Sequence, residues 1–115
     1  MRMAMGSAAA IPTDFHHPEL DEIELSAALH ALSDPQRLRI VRELAASERP
    51  LACGSIALDI AKSTRTHHFR VLREAGLIEQ RREGTSKLSS LRRAEVDARF
   101  PGLLDAVLAA EPPQR

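Results

Sequence analysis

Residues 63–91 read as a short amphipathic helix, a glycine stop and a small basic hairpin, and that order leaves the rest of the chain few ways to fold. On a helical wheel Arg65, His68, Phe69 and Leu72 share one side at i, i+3, i+4, i+7 spacing, the side expected to pack inward. Ser63, Thr66, His67, Arg70 and, at the edge, Arg73 share the other side and offer hydroxyl, imidazole and guanidinium groups to water or to a partner. Gly76 is placed to close this helix in the left-handed conformation that glycine adopts without steric cost. Leu77 to Arg82 and Lys87 to Leu91 then read as two strands around Arg82, Glu83, Gly84 and Thr85. So short a hairpin is not stable alone, so Ile78, Leu88 and Leu91 must lean on a helical core.

A chain of 115 residues is one small domain, and with no Trp, no Tyr and three Phe its core must be built from Leu, Ile, Val and Ala. That favours helix packed on helix, a mostly α fold carrying one small β-hairpin. Formal net charge is zero, yet residues 62–93 hold nine Lys and Arg against three Asp and Glu, so that segment is +6 and the remainder −6. A neutral total argues against indiscriminate coating of nucleic acid, whereas a local cationic segment supplies phosphate contacts. The acidic N-terminal half is expected to face away from such a partner. No window reaches the roughly 18 apolar residues of a membrane span, and the start MRMAMGSAAAIP lacks the apolar stretch of a secretion signal, which predicts a cytoplasmic chain with no membrane contact. The single cysteine, Cys53, forbids an intrachain disulfide and fits a reducing compartment.

Residues 1–18, interrupted by Pro12 and Pro18, read as a flexible N-terminal arm; residues 19–110 form the folded domain, and 111–115 a frayed tail. Leu25, Ala28, Leu29 and Leu32 repeat at helical spacing. Asp34 can N-cap the next helix with Pro35 at its first position, and Leu38, Val41, Leu44 and Ala45 form its stripe. Cys53 to Ile56, with Ala57, Leu58 and Ile60, predict a short apolar helix and turn before Ser63. After the hairpin, Arg93 to Arg99 is helical, broken at Phe100, Pro101 and Gly102, and Leu103, Leu104, Val107 and Leu108 resume an apolar stripe. Matched with Leu25, Ala28, Leu29 and Leu32, that stripe is more economically buried between two subunits than inside so small a monomer.

ALSDPQRLRIVRELA at residues 31–45, then CGSI, KSTRTHHFRVLREAGLI and RREGTSKLSSLRR, resemble the ArsR (SmtB-type) family of bacterial winged helix-turn-helix regulators over roughly residues 21–110. The resemblance implies a homodimer joined through its first and last helices, which represses transcription and whose affinity is often lowered by a metal, an oxidant or another small signal. Each recognition helix would enter a major groove, two half-sites about one helical turn apart forming an imperfect inverted repeat in double-stranded DNA. Ser63, Thr66 and His67 are the expected base readers. Lys62, Arg65, Arg70, Arg73, Arg81, Arg82 and Lys87 are the expected remaining DNA contacts, with Arg92 and Arg93 contributing similarly. Arg65 departs from the family, which has an aliphatic residue there; it either snorkels out to the DNA face, the preferred reading, or pairs with an acid such as Asp59.

The family's usual metal ligands, a Cys-x-Cys pair in the third helix or Asp and His on the last helix, are absent. Asp14, His16, His17 and Glu19, with His30 and Cys53 as further donors, remain as a set suited to nickel, zinc or cobalt, though adjacent histidines on a flexible arm more often bind adventitiously. His67 is better explained by DNA and His68 by packing. A lone core cysteine such as Cys53 is more often inert than a redox switch. The rival reading is a protein-interaction winged helix that docks on another regulator. An enzyme is the remotest, since no nucleophile triad, phosphate-cradling glycine loop or apolar carboxylate pair is visible.

Overall fold

Asp34 starts the best-specified element of the computed structural model, which describes residues 15–110. Its carboxylate accepts the backbone N–H groups of Gln36 and Arg37 at 2.8 and 3.1 Å, with Pro35 at the first helical position, so the orphan donors of that helix are satisfied as expected. Chain order is α1 (Leu25–Ala31), α2 (Pro35–Ala46), β1 (Leu51–Ala52), α3 (Lys62–Glu74), β2 (Ile78–Glu83), β3 (Ser86–Leu91), α4 (Arg93–Arg99) and α5 (Leu103–Ala109), with single 3-10 turns at Leu20–Glu22 and Cys53–Ser55. The helices enclose one apolar core in which Ile40, Val41, Leu44, Leu72, Leu77, Ile78, Val96 and Leu104 are buried.

Three expectations about these elements are corrected. The buried face of α2 is Arg37, Ile40, Val41 and Leu44, with Leu38 and Ala45 only half-buried at its flank. The helix expected over Cys53–Ile60 is a single 3-10 turn followed by irregular chain, because its carbonyls are taken by a side chain rather than by the i+4 amides. Beyond the hairpin there is a third strand: β1 pairs antiparallel with β3, Leu51 opposite Ser89 and Ala52 opposite Leu88, giving the order β1-β3-β2.

The α3 exit sets where the hairpin stands. Gly76, at φ +86°, follows the C-cap Ala75; its N–H bonds to the Arg73 carbonyl at 3.0 Å and the Leu77 N–H to the Leu72 carbonyl at 3.0 Å, a Schellman closure. The chain then enters β2 in register with β3, Ile78 opposite Leu91 through Glu83 opposite Ser86, with Gly84 and Thr85 at the tip.

The arm expected to be flexible over 1–18 is different at its last four residues. Phe15 to Pro18 form a strap across β2: the Gln80 N–H donates to His17 Nε2 at 2.9 Å, Arg92 Nη1 donates to the Pro18 carbonyl at 2.9 Å, and Phe15 is buried. Asp14 and the earlier arm positions, like the tail 111–115, lie outside the described residues.

The candidate nucleic-acid interface

α3 has a wet face and a dry face, divided nearly as its wheel predicts. His68, Phe69 and Leu72 are buried, while Lys62, Ser63, Thr64, Thr66, His67 and Arg70 are exposed. Its N-cap is Ala61, which has no side chain to accept the first-turn amides, and no acid lies in the first turn. Those unpaired N–H groups, beside Lys62 and the hydroxyls of Ser63 and Thr64, suit an anion such as a phosphate. Arg70 donates to His67 Nδ1 at 3.4 Å, which leaves the opposite ring nitrogen to meet a partner.

Strand alternation places Arg82 and Lys87, directly opposite one another, on the same side of the hairpin as Gln80 and Ser89, and Arg81 on the other side. Lys87 borders the same depression as Thr66 and Arg70, so the exposed face of α3 and the basic side of the hairpin are one continuous surface.

Several of the expected DNA contacts are instead bound within the chain. Arg65 neither snorkels outward nor pairs with Asp59: its Nη1 donates to the Ile56 carbonyl at 2.7 Å and the Cys53 carbonyl at 3.4 Å, and Nη2 to the Leu58 carbonyl at 3.5 Å. A planar fork with several donors serves three carbonyls of an irregular segment at once, which an aliphatic residue could not do. Arg73 donates to Gln80 Oε1 at 2.7 Å and stacks 5.1 Å from the Phe15 ring. Arg92 clamps Pro18, and Arg93 pairs with Asp97 at 3.1 Å and with Asp105. Of the nine basic residues in 62–93, the exposed ones are Lys62, Arg70, Arg81, Arg82 and Lys87. A charge count taken from the sequence therefore overstates the exposed cationic surface.

Two buried polar clusters hold this surface. Gln80 and Ser89 are a cross-strand pair on the inner side of the hairpin; Gln80 Nε2 donates to Ser89 Oγ at 3.1 Å and to Cys53 Sγ at 3.3 Å, its Oε1 takes Arg73, and its N–H takes His17. A glutamine at the inward position after Ile78 was the one sequence signal for it. Beneath α3, Arg37 Nε donates to the Ala31 carbonyl at 2.7 Å, Nη2 to the His30 carbonyl at 3.3 Å, and Nη1 to His68 Nδ1 at 3.0 Å. His68 Nε2 lies 3.8 Å from Asp34 Oδ2, so the cap of α2, the end of α1 and α3 meet at one imidazole.

Burial pushes His68 below the ordinary histidine value, opposed by Asp34 and reinforced by Arg37. His17 is also lowered, again chiefly by burial, with Glu79 opposing. In both, the nitrogen that accepts a hydrogen bond would have to surrender it on protonation. Among the described residues no three of His, Cys, Asp and Glu converge, and His17 spends Nε2 on Gln80.

For the expected subunit contact, Leu25 and Leu29 are about half exposed at 48% each, with Leu20 at 41%. Ala28, Leu32 and Leu104 are already buried in their own chain and belong to its core, while Leu103, Val107 and Leu108 are half-buried.

A helical core that presents one polar helix beside a basic β-loop is the architecture of winged helix-turn-helix proteins. Residues 32–81 match a helix-turn-helix domain model. The chain is 40% identical over 79 residues to an uncharacterised HTH-type transcriptional regulator, YceK, of Bacillus subtilis (strain 168), covering 67% of this chain and 79% of that protein. Among solved structures it is similar to the transcriptional repressor BigR from Xylella fastidiosa, with 28% identity, TM-score 0.56, and coverage of 76% of this chain and 88% of the other. An ArsR family transcriptional regulator shares the fold at 21% identity and TM-score 0.60, over 71% of this chain and 90% of that one. The chain belongs to the helix-turn-helix transcriptional regulators, and it shares its fold with a regulator of the ArsR family.

Proposed function

We propose that this regulator is a dimeric repressor that reads an imperfect inverted repeat, placing one α3 in each of two successive major grooves. The observation that carries it is the continuity of Thr66 and Arg70 with Lys87 across one depression, with no carboxylate lining it. Thr66, His67 and Ser63 meet base edges; Lys62, Arg70, Arg81, Arg82 and Lys87 hold phosphates or enter the minor groove. Leu25 and Leu29, with the half-buried side of α5, form the seam between subunits. The similarity to a transcriptional repressor supports the sense of regulation. A metal-responsive version has no convergent ligand set in the described residues to rest on.

Fluorescence anisotropy on the chain's own upstream promoter fragment tests the reading. Lys87→Ala is expected to weaken binding to every operator variant alike and to flatten the salt slope by about 0.9 per lost phosphate contact, about 2 for a dimer. Thr66→Ala and His67→Ala are expected to change which base pairs are preferred, by about 1–3 kcal/mol at the affected positions. If preference is unchanged, α3 is not the reader. Leu29→Asp is expected to shift the sedimenting species from dimer to monomer, and a monomeric wild type refutes the seam.

A further inference from the structure

We propose that the cavity between α3 and the hairpin is a binding site for a small aromatic carboxylate. The cavity holds about 200 Å³. That is below the about 300 Å³ at which drug-sized pockets begin, and suits a single ring with its acid group. Phe69 and Phe15 supply flat apolar wall, while Arg70, Arg73 and Lys87 supply positive charge.

Arg73 gives the polar end of the site. Its Nη1 is held by Gln80, but its Nε is buried and has no hydrogen-bond partner among the described residues. A buried N–H left unmade is costly, and a carboxylate oxygen, which forms a charge-assisted bond, is the acceptor that recovers most of that cost. Phe15 is stacked on the same guanidinium and is the cover such a ligand lifts or shares. The aromatic body then lies against Phe69, and the acid group turns towards Arg73.

The rim of this cavity is the proposed DNA surface and its floor is not. An anion seated there offsets charge that Arg70 and Lys87 would otherwise present to phosphates, so acid and DNA oppose one another reciprocally. That consequence rests on the DNA reading, whereas occupancy of the cavity does not. The test is therefore run without DNA, so that the two can fail separately.

Calorimetric titration of the whole chain with benzoate is expected to give saturable binding at one site per chain. Arg73→Lys, which keeps the charge and loses the Nε–H, is expected to weaken it about tenfold. Exposed Arg70→Ala is expected to weaken it severalfold, and decides the matter if Arg73→Lys does not fold. Inorganic phosphate and uncharged benzamide are expected to bind at least about tenfold more weakly than benzoate. No saturable heat with benzoate, undiminished binding by Arg70→Ala, or phosphate or benzamide binding as tightly as benzoate overturns the site.

Discussion

Gly76→Ala is expected to lower the unfolding free energy by about 3 kcal/mol, from a left-handed residue costing about 1–2 kcal/mol and overpacking costing about 1–3 kcal/mol. A Cβ at Gly76 would sit 2.6 Å from Ile23 Cγ1, and Ile23 is only 1% exposed with little room to retreat. Gly84→Ala is the control: its φ is +62° but nothing lies within 4 Å, so only the backbone cost applies. Urea denaturation of the two variants separates the contributions. Equal losses would mean that Ile23 yields and that the α3 exit is looser than its geometry requires.

Arg37→Met is expected to cost about 2–4 kcal/mol, because the His30 and Ala31 carbonyls and His68 Nδ1 each lose a buried donor. The same change is expected to alter the pH dependence. His68 and His17 have folded-state values below the ordinary 6.5, so the unfolded chain binds more protons as acidity rises. Their contribution is complete above about pH 6.5 and drains away below it, by at most about 1.4 kcal/mol per pH unit for each group. Without the Arg37 cation, His68 keeps Asp34 as its charged neighbour and its value rises, so the acid-side slope of Arg37→Met is expected to be shallower than that of the wild type. Denaturation midpoints between pH 5 and 8 measure both slopes. Parallel slopes would remove His68 from the account.

Much of the fold was legible because its signals are local. Asp34 and Pro35 set the start of α2, Gly76 sets the end of α3, and Gly84 lies at the tip of a hairpin whose register follows from its length. The exposed half of α3 was equally readable from the spacing of Ser63, Thr66, His67 and Arg70. The destinations of long cationic side chains were not. Arg37 meets His68 31 positions away, and His17 meets Gln80 63 positions away, distances over which no periodic pattern carries information. Helical spacing puts Arg65 on the inward side, but spacing does not say where so long a side chain ends; instead of snorkelling outward, its fork turns back to cap the 53–58 segment. β1 escaped because two residues after Pro50 contain no alternation to detect.

The strap from Phe15 to Pro18 makes the unit of α3 and the hairpin discontinuous in sequence. Anyone transplanting residues 62–91 into a relative as a specificity cassette would leave behind the pieces that brace it. A faithful graft has to carry at least residues 15–18 and 53–58 with it, and an affinity tag is safer at the far terminus than beside Phe15.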